Sequence, residues 1–426
     1  MRQLEMKWSC GSVRQVIVAI RIGLVLTAPL AIVACNDGGG ATPVAPLPPE
    51  PGQFAVTVTA APDFGSGATS IADVEPPRDA INNLAPTISD LGVACHARFF
   101  YRIERFGGNN VAKFDVTDPG NVVVTPRGES FQFSTDGDEA GDSNPSALVF
   151  ASDTKAYLLR YGSSKAWIVD PSAGDAASFK TGELDLGAYA ADGGVPHMQD
   201  AVVANGRLYI VMQRLDATFA PSNTAYLAVF DTATDTEIDT GMGAADGVKG
   251  IPLVLRNPNS LQYLPQLDTL YVEAAGRLGF PSFGIEPEYT GGIEIVDPAT
   301  FLTRVLVDDG DAGDHPLGQV FRMALVSPSD GYIIGTDNAF ADSTLYRFDP
   351  VTGAVLSDVN GPVAVGGLAG LNLTGLAAGP AGKLWVGNGD LAAPGLVVID
   401  PADDSIEQAL VPTGLNPLET CFAEVN

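Results

Sequence analysis

The sequence is poor in the residues on which most catalytic and metal sites depend. Only three histidines and four cysteines occur among its 426 residues. It also has no G-x-S-x-G nucleophile elbow, no H-E-x-x-H zinc motif, no C-x-x-C-H haem motif and no phosphate-binding loop. These absences argue against serine hydrolases of the elbow type, zinc proteases, c-type cytochromes and P-loop nucleotidases.

Basic residues are scarce as well, with 23 Lys and Arg against 51 Asp and Glu and a formal net charge of -28. Proteins that bind nucleic acid or anionic lipid need positive charge to meet the phosphates. We therefore expect no nucleic-acid partner. A body this acidic fits an exposed, soluble head or a protein that binds cations.

Only one long stretch of the sequence is hydrophobic, and it lies near the N-terminus. Residues 22–33 are too few to span a bilayer but match the hydrophobic part of a signal peptide. They run into Ala34-Cys35 in a pattern that resembles a bacterial lipobox. The resemblance implies cleavage before Cys35 and lipidation of that residue, so we assign residues 1–34 to a lipoprotein signal peptide. The alternative is an ordinary signal peptide in which Cys35 falls at this place by chance.

Residues 35–53 are rich in glycine and proline and cannot build a core. Such a segment is typical of an extended tether that holds a folded head away from a lipid surface. We therefore expect an exported protein that reaches a membrane through the lipid on Cys35. Asn36, rather than Asp, follows the cysteine, and by resemblance to the enterobacterial sorting rule this favours the outer membrane.

Short apolar runs between turn residues dominate the rest of the chain, which contains 48 Gly and 31 Pro. Six segments repeat one pattern of an apolar strand, an Asp, usually a Pro, and a turn. Their marker aspartates are spaced 51 to 66 residues apart, close to the length of one propeller blade. The markers are Asp118, Asp170, Asp231, Asp297, Asp349 and Asp400.

Each marker strand is preceded by two further apolar strands, of which the first is predicted to be the innermost of a blade. One more innermost strand follows the last marker at residues 416–422, and no blade follows it. Residues 54–61 and 69–74 form a predicted hairpin that lacks an innermost strand. Together these remnants complete a seventh blade. The predicted fold is therefore all-β: a seven-bladed β-propeller of four-stranded blades over residues 54–426, closed by pairing the C-terminal strand with the N-terminal hairpin.

The IVDP and VIDP markers and the LYV-type strands resemble the YVTN-type family of seven-bladed propellers. The likeness indicates the fold, while the family spans many ligands and roles. Some lipoprotein propellers of this appearance capture corrinoids or siderophores for TonB-dependent transporters, so the resemblance implies a capture partner of an outer-membrane transporter. Two alternatives stay open: a metal-dependent (Ca) hydrolase or lactonase on the same scaffold, and an envelope protein–protein scaffold.

The loops that lead into innermost strands surround one mouth of a propeller's central channel, which is its usual ligand face. Polar residues recur in these loops and slightly deeper, and we predict that they bind a small polar molecule. For each Asn-Pro, turn chemistry is the simpler interpretation, whereas both interpretations stay open for the two histidines, Gln319 and Arg322. The predicted set is His197, Gln199, Asn257, Asn259, Gln262, His315, Gln319, Arg322 and Asn372.

Two acidic loops space carboxylates with glycines, an arrangement that suits Ca²⁺. Both lack the downstream Glu of an EF-hand loop, and a solvated acidic loop is the alternative interpretation. The candidate ligands are Asp136, Asp138 and Asp142 in one loop and Asp309, Asp311 and Asp314 in the other.

The cysteines give the most specific prediction. Cys10 leaves with the signal peptide and Cys35 takes the lipid, so Cys95 and Cys421 remain. They lie in the innermost strands of the first complete blade and of the closing blade, which are neighbours if the ring contains seven blades. We predict a disulfide between them, with two buried free thiols as the alternative.

Overall fold

The computed structural model describes residues 52–117, 131–136, 141–191, 194–280, 284–338, 342–359, 361–368 and 370–425. Within these residues nearly all regular structure is β-strand, and one short helix, α1, spans Ala176–Phe179. Short 3-10 turns lie at Gly187–Tyr189, Ala244–Asp246 and Pro380–Gly382. No helix among the described residues is long and apolar enough to cross a membrane.

The described strands form eight antiparallel sheets, of which seven are the blades and the eighth is a two-stranded hairpin beside one blade. We number the strands in chain order and the blades from the N-terminus, so that blade 1 is the closing blade. Blade 1 contains β1 (Gly52–Ala60), β2 (Gly67–Asp73), β3 (Ala80–Thr87) and β30 (Asn416–Val425). Blade 2 contains β4 (Leu91–His96), β5 (Phe99–Glu104), β6 (Asn110–Asp115) and β7 (Phe131–Ser134). Blade 3 contains β8 (Pro145–Ser152), β9 (Lys155–Arg160), β10 (Lys165–Val169) and β11 (Lys180–Asp185).

The remaining four blades follow the same plan, with small variations in blades 4 and 6. Blade 4 contains β12 (Met198–Ala204), β13 (Arg207–Met212), β14 (Tyr226–Asp231), β15 (Thr236–Glu237) and β16 (Ile251–Pro252). Blade 5 contains β17 (Pro258–Leu264), β18 (Thr269–Ala274), β19 (Gly292–Val296) and β20 (Thr303–Asp308). Blade 6 contains β21 (Gln319–Ser327), β22 (Asp330–Asn338), β23 (Asp342–Phe348) and a small hairpin of β24 (Ser357–Asp358) and β25 (Gly361–Pro362). Blade 7 contains β26 (Leu373–Ala378), β27 (Leu384–Asn388), β28 (Gly395–Asp400) and β29 (Ser405–Pro412).

The innermost strands touch one another in a closed ring, in the order β30, β4, β8, β12, β17, β21, β26 and back to β30. In blade 1, β30 pairs with β1, so the chain's last strand completes its first sheet. The predicted seven-bladed fold and its closure are therefore confirmed. So is the predicted disulfide, because Cys95 and Cys421 are bonded with their Cα atoms 5.6 Å apart.

The hydrophobic core is divided among the seams between blades. Each pair of neighbouring blades encloses its own cluster of buried apolar side chains. The middle strands of a blade are covered on both faces, and this explains why they are continuously apolar, as in residues 208–212 of β13.

The repeated Asp-Pro marker has two structural roles. The Asp closes the turn after the third strand, as where Asp170 Oδ1 accepts the Ser172 N–H at 2.8 Å. The Pro carbonyl accepts a hydroxyl from the preceding blade: Tyr101 donates to Pro171 O at 2.8 Å. In the same way Tyr271 donates to Pro350 O at 2.9 Å. We call these hydrogen bonds the tyrosine latches.

One marker differs from the prediction. The last residue of β6 is Asp115, which corresponds to Asp231 at the end of β14, and Asp115 closes its turn by accepting the Thr117 N–H at 2.8 Å. Asp115 is therefore the marker of blade 2. Asp118 lies outside the described residues.

Candidate functional site

The loops before the innermost strands and the connections between second and third strands lie on one face of the propeller. Backbone hydrogen bonds join the two sets: the Gln213 N–H donates to His197 O at 3.0 Å, and the Ala275 N–H donates to Asn257 O at 3.0 Å. In blade 7 the Gly389 N–H donates to Asn372 O at 2.7 Å. We call this side of the molecule the mouth face.

The residue before an innermost strand occupies a left-handed turn in several blades. Asn144, His197 and Asn257 have φ values of 43°, 54° and 57°, and Gly318 holds the same place in blade 6 with φ 66°. Asn and Gly suit this conformation, so turn geometry accounts for the asparagines. Asn257 also fixes the next loop by donating from Nδ2 to Gly276 O at 2.7 Å.

The two histidines lie on the mouth face in blades 4 and 6, which are not adjacent. His197 is buried between Tyr161 and Phe219, with ring centroids 4.9 Å and 6.0 Å away, and burial lowers the pKa of its imidazole. His315 is half-buried and stacks on Tyr289 at 4.1 Å. The two imidazoles therefore pack against different sets of aromatic rings.

The two deeper glutamines of blades 5 and 6 have their amides bonded to backbone. Gln319 holds the base of the loop at residues 275–291: its Oε1 accepts the Gly279 N–H at 2.9 Å and its Nε2 donates to Arg277 O at 2.7 Å. Gln262 joins blade 5 to blade 6, where its Nε2 donates to Met323 O at 2.8 Å. Both side chains position the walls of the site.

The remaining amides of the predicted set are Asn259, Gln199 and Asn372. Asn259 accepts from Gln213 Nε2 at 3.1 Å. Gln199 and Asn372 are half-buried on the mouth face.

The central channel is open to water. The innermost strands β12 and β17 lie at the centre of the molecule. Even so, only every third residue in them is buried, and the two residues between are half-buried. Glu419 on β30 keeps 48% of its side chain accessible, yet burial raises its pKa. A carboxyl that is surrounded by protein but still wetted lines a water-filled channel.

Five ionisable residues interact electrostatically in and behind the wall of this channel, and only one of them belongs to the predicted set. Arg322 interacts electrostatically with Glu273 and Glu419, and Arg105 lies 3.7 Å from Glu419. Asp200 interacts with Glu273, Glu419 and Arg105. The five come from blades 1, 2, 4, 5 and 6. We call them the channel cluster: Arg105, Asp200, Glu273, Arg322 and Glu419.

Two carboxyls of the cluster differ in how the protein satisfies them. Burial raises the pKa of Asp200 to about 7, although Asp200 accepts the Ala201 and Leu261 N–H groups, each at 2.8 Å. Burial raises the pKa of Glu273 to about 8, and neither oxygen of this fully buried side chain has a hydrogen-bond partner. Of these two carboxyls, Glu273 is therefore the one that the fold leaves without a hydrogen-bond partner.

Arg322 does not satisfy Glu273 by a hydrogen bond, because its donors go to backbone. Its Nε donates to Thr374 O at 3.3 Å and its Nη1 donates to Phe321 O at 2.8 Å. These bonds hold the guanidinium in the channel wall, beside the carboxyls.

Bulges near the starts of β12 and β21 set the direction of two side chains of the cluster, Asp200 and Arg322. The pairing shifts between Met198 and Asp200 in β12 and between Val320 and Arg322 in β21. Bulges turn a side chain away from its regular alternation and are common beside functional sites. The sequence signal for Asp200 and Glu273 was a single acid inside an otherwise apolar strand.

The acidic loops use several of their carboxylates to close turns. Asp142 accepts from Asn109 Nδ2 at 2.5 Å, and Asp311 accepts the Gly313 N–H at 2.7 Å. Asp309 is buried, accepts the Gly291 N–H at 3.1 Å, and has its pKa raised to about 7 by burial. Asp136 and Asp314 are exposed, and Asp138 lies outside the described residues.

Calcium binding by these loops stays a prediction. Across the described ranges, no three His, Cys, Asp or Glu side chains are grouped so that they could hold a metal ion.

No protein-family model and no curated protein matches the sequence. Solved structures do match. The periplasmic gluconolactonase PpgL of Pseudomonas aeruginosa has a TM-score of 0.55 at 13% identity, over 87% of this chain and 99% of that chain. A protein from Lactobacillus plantarum has a TM-score of 0.55 at 12% identity, over 88% and 99%. AztD of Citrobacter koseri has a TM-score of 0.48 at 12% identity, over 88% and 99%. At such identities the two structures with TM-scores of 0.55 support the propeller fold and nothing more.

Proposed function

We propose that this protein is an exported, lipid-anchored binding protein whose propeller holds a small polar ligand in the central channel, beneath the mouth face. The observation that carries the proposal is Glu273, which is fully buried and has no hydrogen-bond partner beside Arg322 and Asp200. An unsatisfied buried polar group costs about 1–3 kcal/mol, and more for a charged one. A ligand that binds beside it and displaces the channel wall enough to donate hydrogen bonds to Glu273 would recover that free energy.

The channel cluster favours a ligand with both donors and acceptors. Carboxyls at Asp200, Glu273 and Glu419 accept from hydroxyl or amine groups, and the guanidinium groups of Arg105 and Arg322 donate to oxygens. The net charge of -28 disfavours polyanions. A neutral polyhydroxy compound, an amine or a zwitterion fits these requirements.

Export and lipid anchoring belong to the same proposal. The lipobox-like sequence at Cys35 and the Cys95–Cys421 disulfide support it, since disulfides persist in oxidising compartments. Palmitate labelling of the wild type and of Cys35→Ser tests the anchor, and equal labelling of both would contradict it. We further propose that the captured ligand passes to an outer-membrane transporter.

Channel binding is tested on the full chain carrying Cys35→Ser. The thermal shift of this protein is measured against a panel of polyols, sugar acids, amines and amino acids. A ligand that stabilises it should bind at least about tenfold more weakly to Glu273→Gln and to Arg322→Gln. The matched control is Glu294→Gln: Glu294 is also fully buried in blade 5, but it accepts the Val254 and Leu255 N–H groups at 2.9 and 3.0 Å. Unchanged affinity in both channel variants would refute the site.

A lactonase is the second candidate, and the carboxyl pKa values favour it. Asp200 at about 7 and Glu273 at about 8 suit general acid–base catalysis near neutral pH. Hydrolysis of glucono-δ-lactone, followed by proton release, should be lost in Asp200→Asn or in Glu273→Gln. A rate equal to the uncatalysed one in the wild type would rule out this activity for that lactone.

A further inference from the structure

Large apolar residues recur in the connections between second and third strands on the mouth face. Four of them lie at exposed tips, with 63% to 73% of each side chain accessible. We call these the apolar tips: Phe64 in blade 1, Phe106 in blade 2, Phe219 in blade 4 and Leu391 in blade 7. The corresponding connections of blades 3 and 5 contain the half-buried residues Tyr161 and Phe280. The connection of blade 6 contains Phe340, which lies outside the described residues.

The backbone at two of these tips is unsuited to the residue that occupies it. Phe64 and Phe219 have φ values of 55° and 60°, in the left-handed region where glycine or asparagine is favoured. The backbone at these positions does not favour phenylalanine, and both residues remain largely exposed, although Phe219 also contacts the His197 ring. A role outside the isolated molecule explains its presence at both sites.

A carboxylate accompanies each apolar tip. Asp63 accepts the Gly65 N–H at 3.0 Å and so closes the turn that carries Phe64. Asp390 accepts the Ala392 N–H at 2.9 Å around Leu391. Each of these carboxylates lies in the turn that presents an exposed apolar side chain.

The other two tips follow the same arrangement. Asp216 accepts from Thr218, Ala220 and Ser222 in the turn of Phe219, and these hydrogen bonds lower the pKa of its carboxyl. Asp90 accepts the Phe106 N–H at 3.4 Å.

The tips of blades 1 and 2 form one continuous surface. The Phe64 carbonyl accepts the Ser89 hydroxyl at 2.7 Å, and the neighbouring Asp90 holds the turn of Phe106. Ile88 lies against this same turn, because a Cβ built on Gly108 would meet Ile88 Cδ1 at 2.6 Å. An apolar surface edged by carboxylates therefore crosses the seam where the ring closes.

We infer that the mouth face is a docking surface for a protein partner whose contact surface carries Lys or Arg around exposed apolar side chains. Charge complementarity argues for this partner, since every apolar tip has a carboxylate from its own or the adjoining loop. A second copy of this chain would place acid against acid, and anionic lipid would be repelled. The inference does not depend on what the channel binds.

The probe is a synthetic 18-residue amphipathic helix with Leu and Phe on one face and Lys on the other. Its counterpart carries Glu in place of Lys, and phosphatidylcholine vesicles represent an uncharged membrane. The full chain with Cys35→Ser is used, so that no lipid anchor contributes. We expect the Lys peptide to bind and the Glu peptide not to bind, with affinity that falls as salt rises.

Variants separate the two components of the surface. Phe64→Ser, Phe106→Ser, Phe219→Ser and Leu391→Ser combined should weaken Lys-peptide binding at least about tenfold, and Asp63→Asn with Asp390→Asn should reduce its salt dependence. The matched control is Leu302→Ser with Val351→Ser, since these residues are 61% and 54% exposed on the opposite face.

Three results would overturn the inference: equal binding of both peptides, full binding by the combined tip variant, or tip-dependent binding to the vesicles instead of the peptide. A channel ligand should still stabilise the tip variant. Failure of the docking surface is thereby distinguishable from failure of the channel site.

Discussion

Removal of the Cys95–Cys421 disulfide should destabilise the propeller by an amount set by its very long loop. The two cysteines are 326 residues apart in sequence. In the chain-entropy model, a cross-link over a loop of this length stabilises the folded state by about 5–6 kcal/mol. For a folded body of about 370 residues, an unfolding entropy near 2.1 cal/mol/K per residue converts this to a Tm decrease of about 7 °C.

The measurement is a thermal scan of the wild type against Cys95→Ala with Cys421→Ala, combined with Cys35→Ser in both proteins. The same scan of the wild type in reducing agent is the internal control, and it should approach the double variant. Labelling of the denatured, unreduced wild type should find neither Cys95 nor Cys421 reactive. A Tm difference below about 1 °C between the cross-linked protein and the double variant would refute the entropic argument. Two reactive thiols would refute the bond itself.

Three further predictions concern groups that the fold satisfies or leaves unsatisfied. The pKa of Glu273 is about 8 in the folded protein, against 4.5 for the free group, so the folded state keeps a proton that the unfolded state loses as pH rises. The contribution of Glu273 to the free energy of unfolding should therefore be greatest below about pH 4.5 and fall by up to about 1.4 kcal/mol per pH unit towards pH 8. Urea titrations of Glu273→Gln should show a smaller fall over this range. The same pH dependence in the wild type and the variant would contradict the assignment. Tyr271→Phe removes a tyrosine latch to Pro350 and should cost about 1 kcal/mol in urea denaturation, so a variant as stable as the wild type would show that the latch contributes nothing. Gln319→Ala removes the bonds to Gly279 and Arg277 and should speed proteolysis within residues 275–291; an unchanged cleavage rate would mean that the loop is held by other contacts.

The fold was predictable because the same strand pattern recurs in six segments of the sequence. Six marker strands fixed the blade length, and two incomplete remnants fixed the closure, so Cys95 and Cys421 could be paired across the ring. The one misplaced marker, Asp118, lies three residues from the structural marker Asp115, because the sequence Asp-Val-Thr-Asp-Pro offers two aspartates to the same pattern. The register in which β6 pairs with β5 decides between the two aspartates, and the sequence pattern does not reveal that register.

The site was harder to predict because it is assembled from single residues of different blades. Asp200 and Glu273 are isolated acids in apolar strands, and only the bulges and the closed ring bring their charges together with those of Arg322 and Glu419. The amides Gln262 and Gln319 stand at the depth predicted for ligand contact, and in the structure they hydrogen-bond to backbone, so their contact with a ligand stays a prediction. Position along a strand indicates which residues approach the channel, while their hydrogen-bond partners depend on neighbouring blades.

The pairing of β1 with β30 has a consequence for how the protein is made. β1 spans Gly52–Ala60 and β30 spans Asn416–Val425, so the inner edge of β1 has no partner until β30 has been synthesised. Until then its N–H and C=O groups form an open edge that invites pairing with other chains. A chain that stops before residue 416 lacks both this strand and the thiol for Cys95. The folded propeller therefore depends on β30, and a nonsense mutation before the codon for residue 416 should abolish the folded protein rather than shorten it.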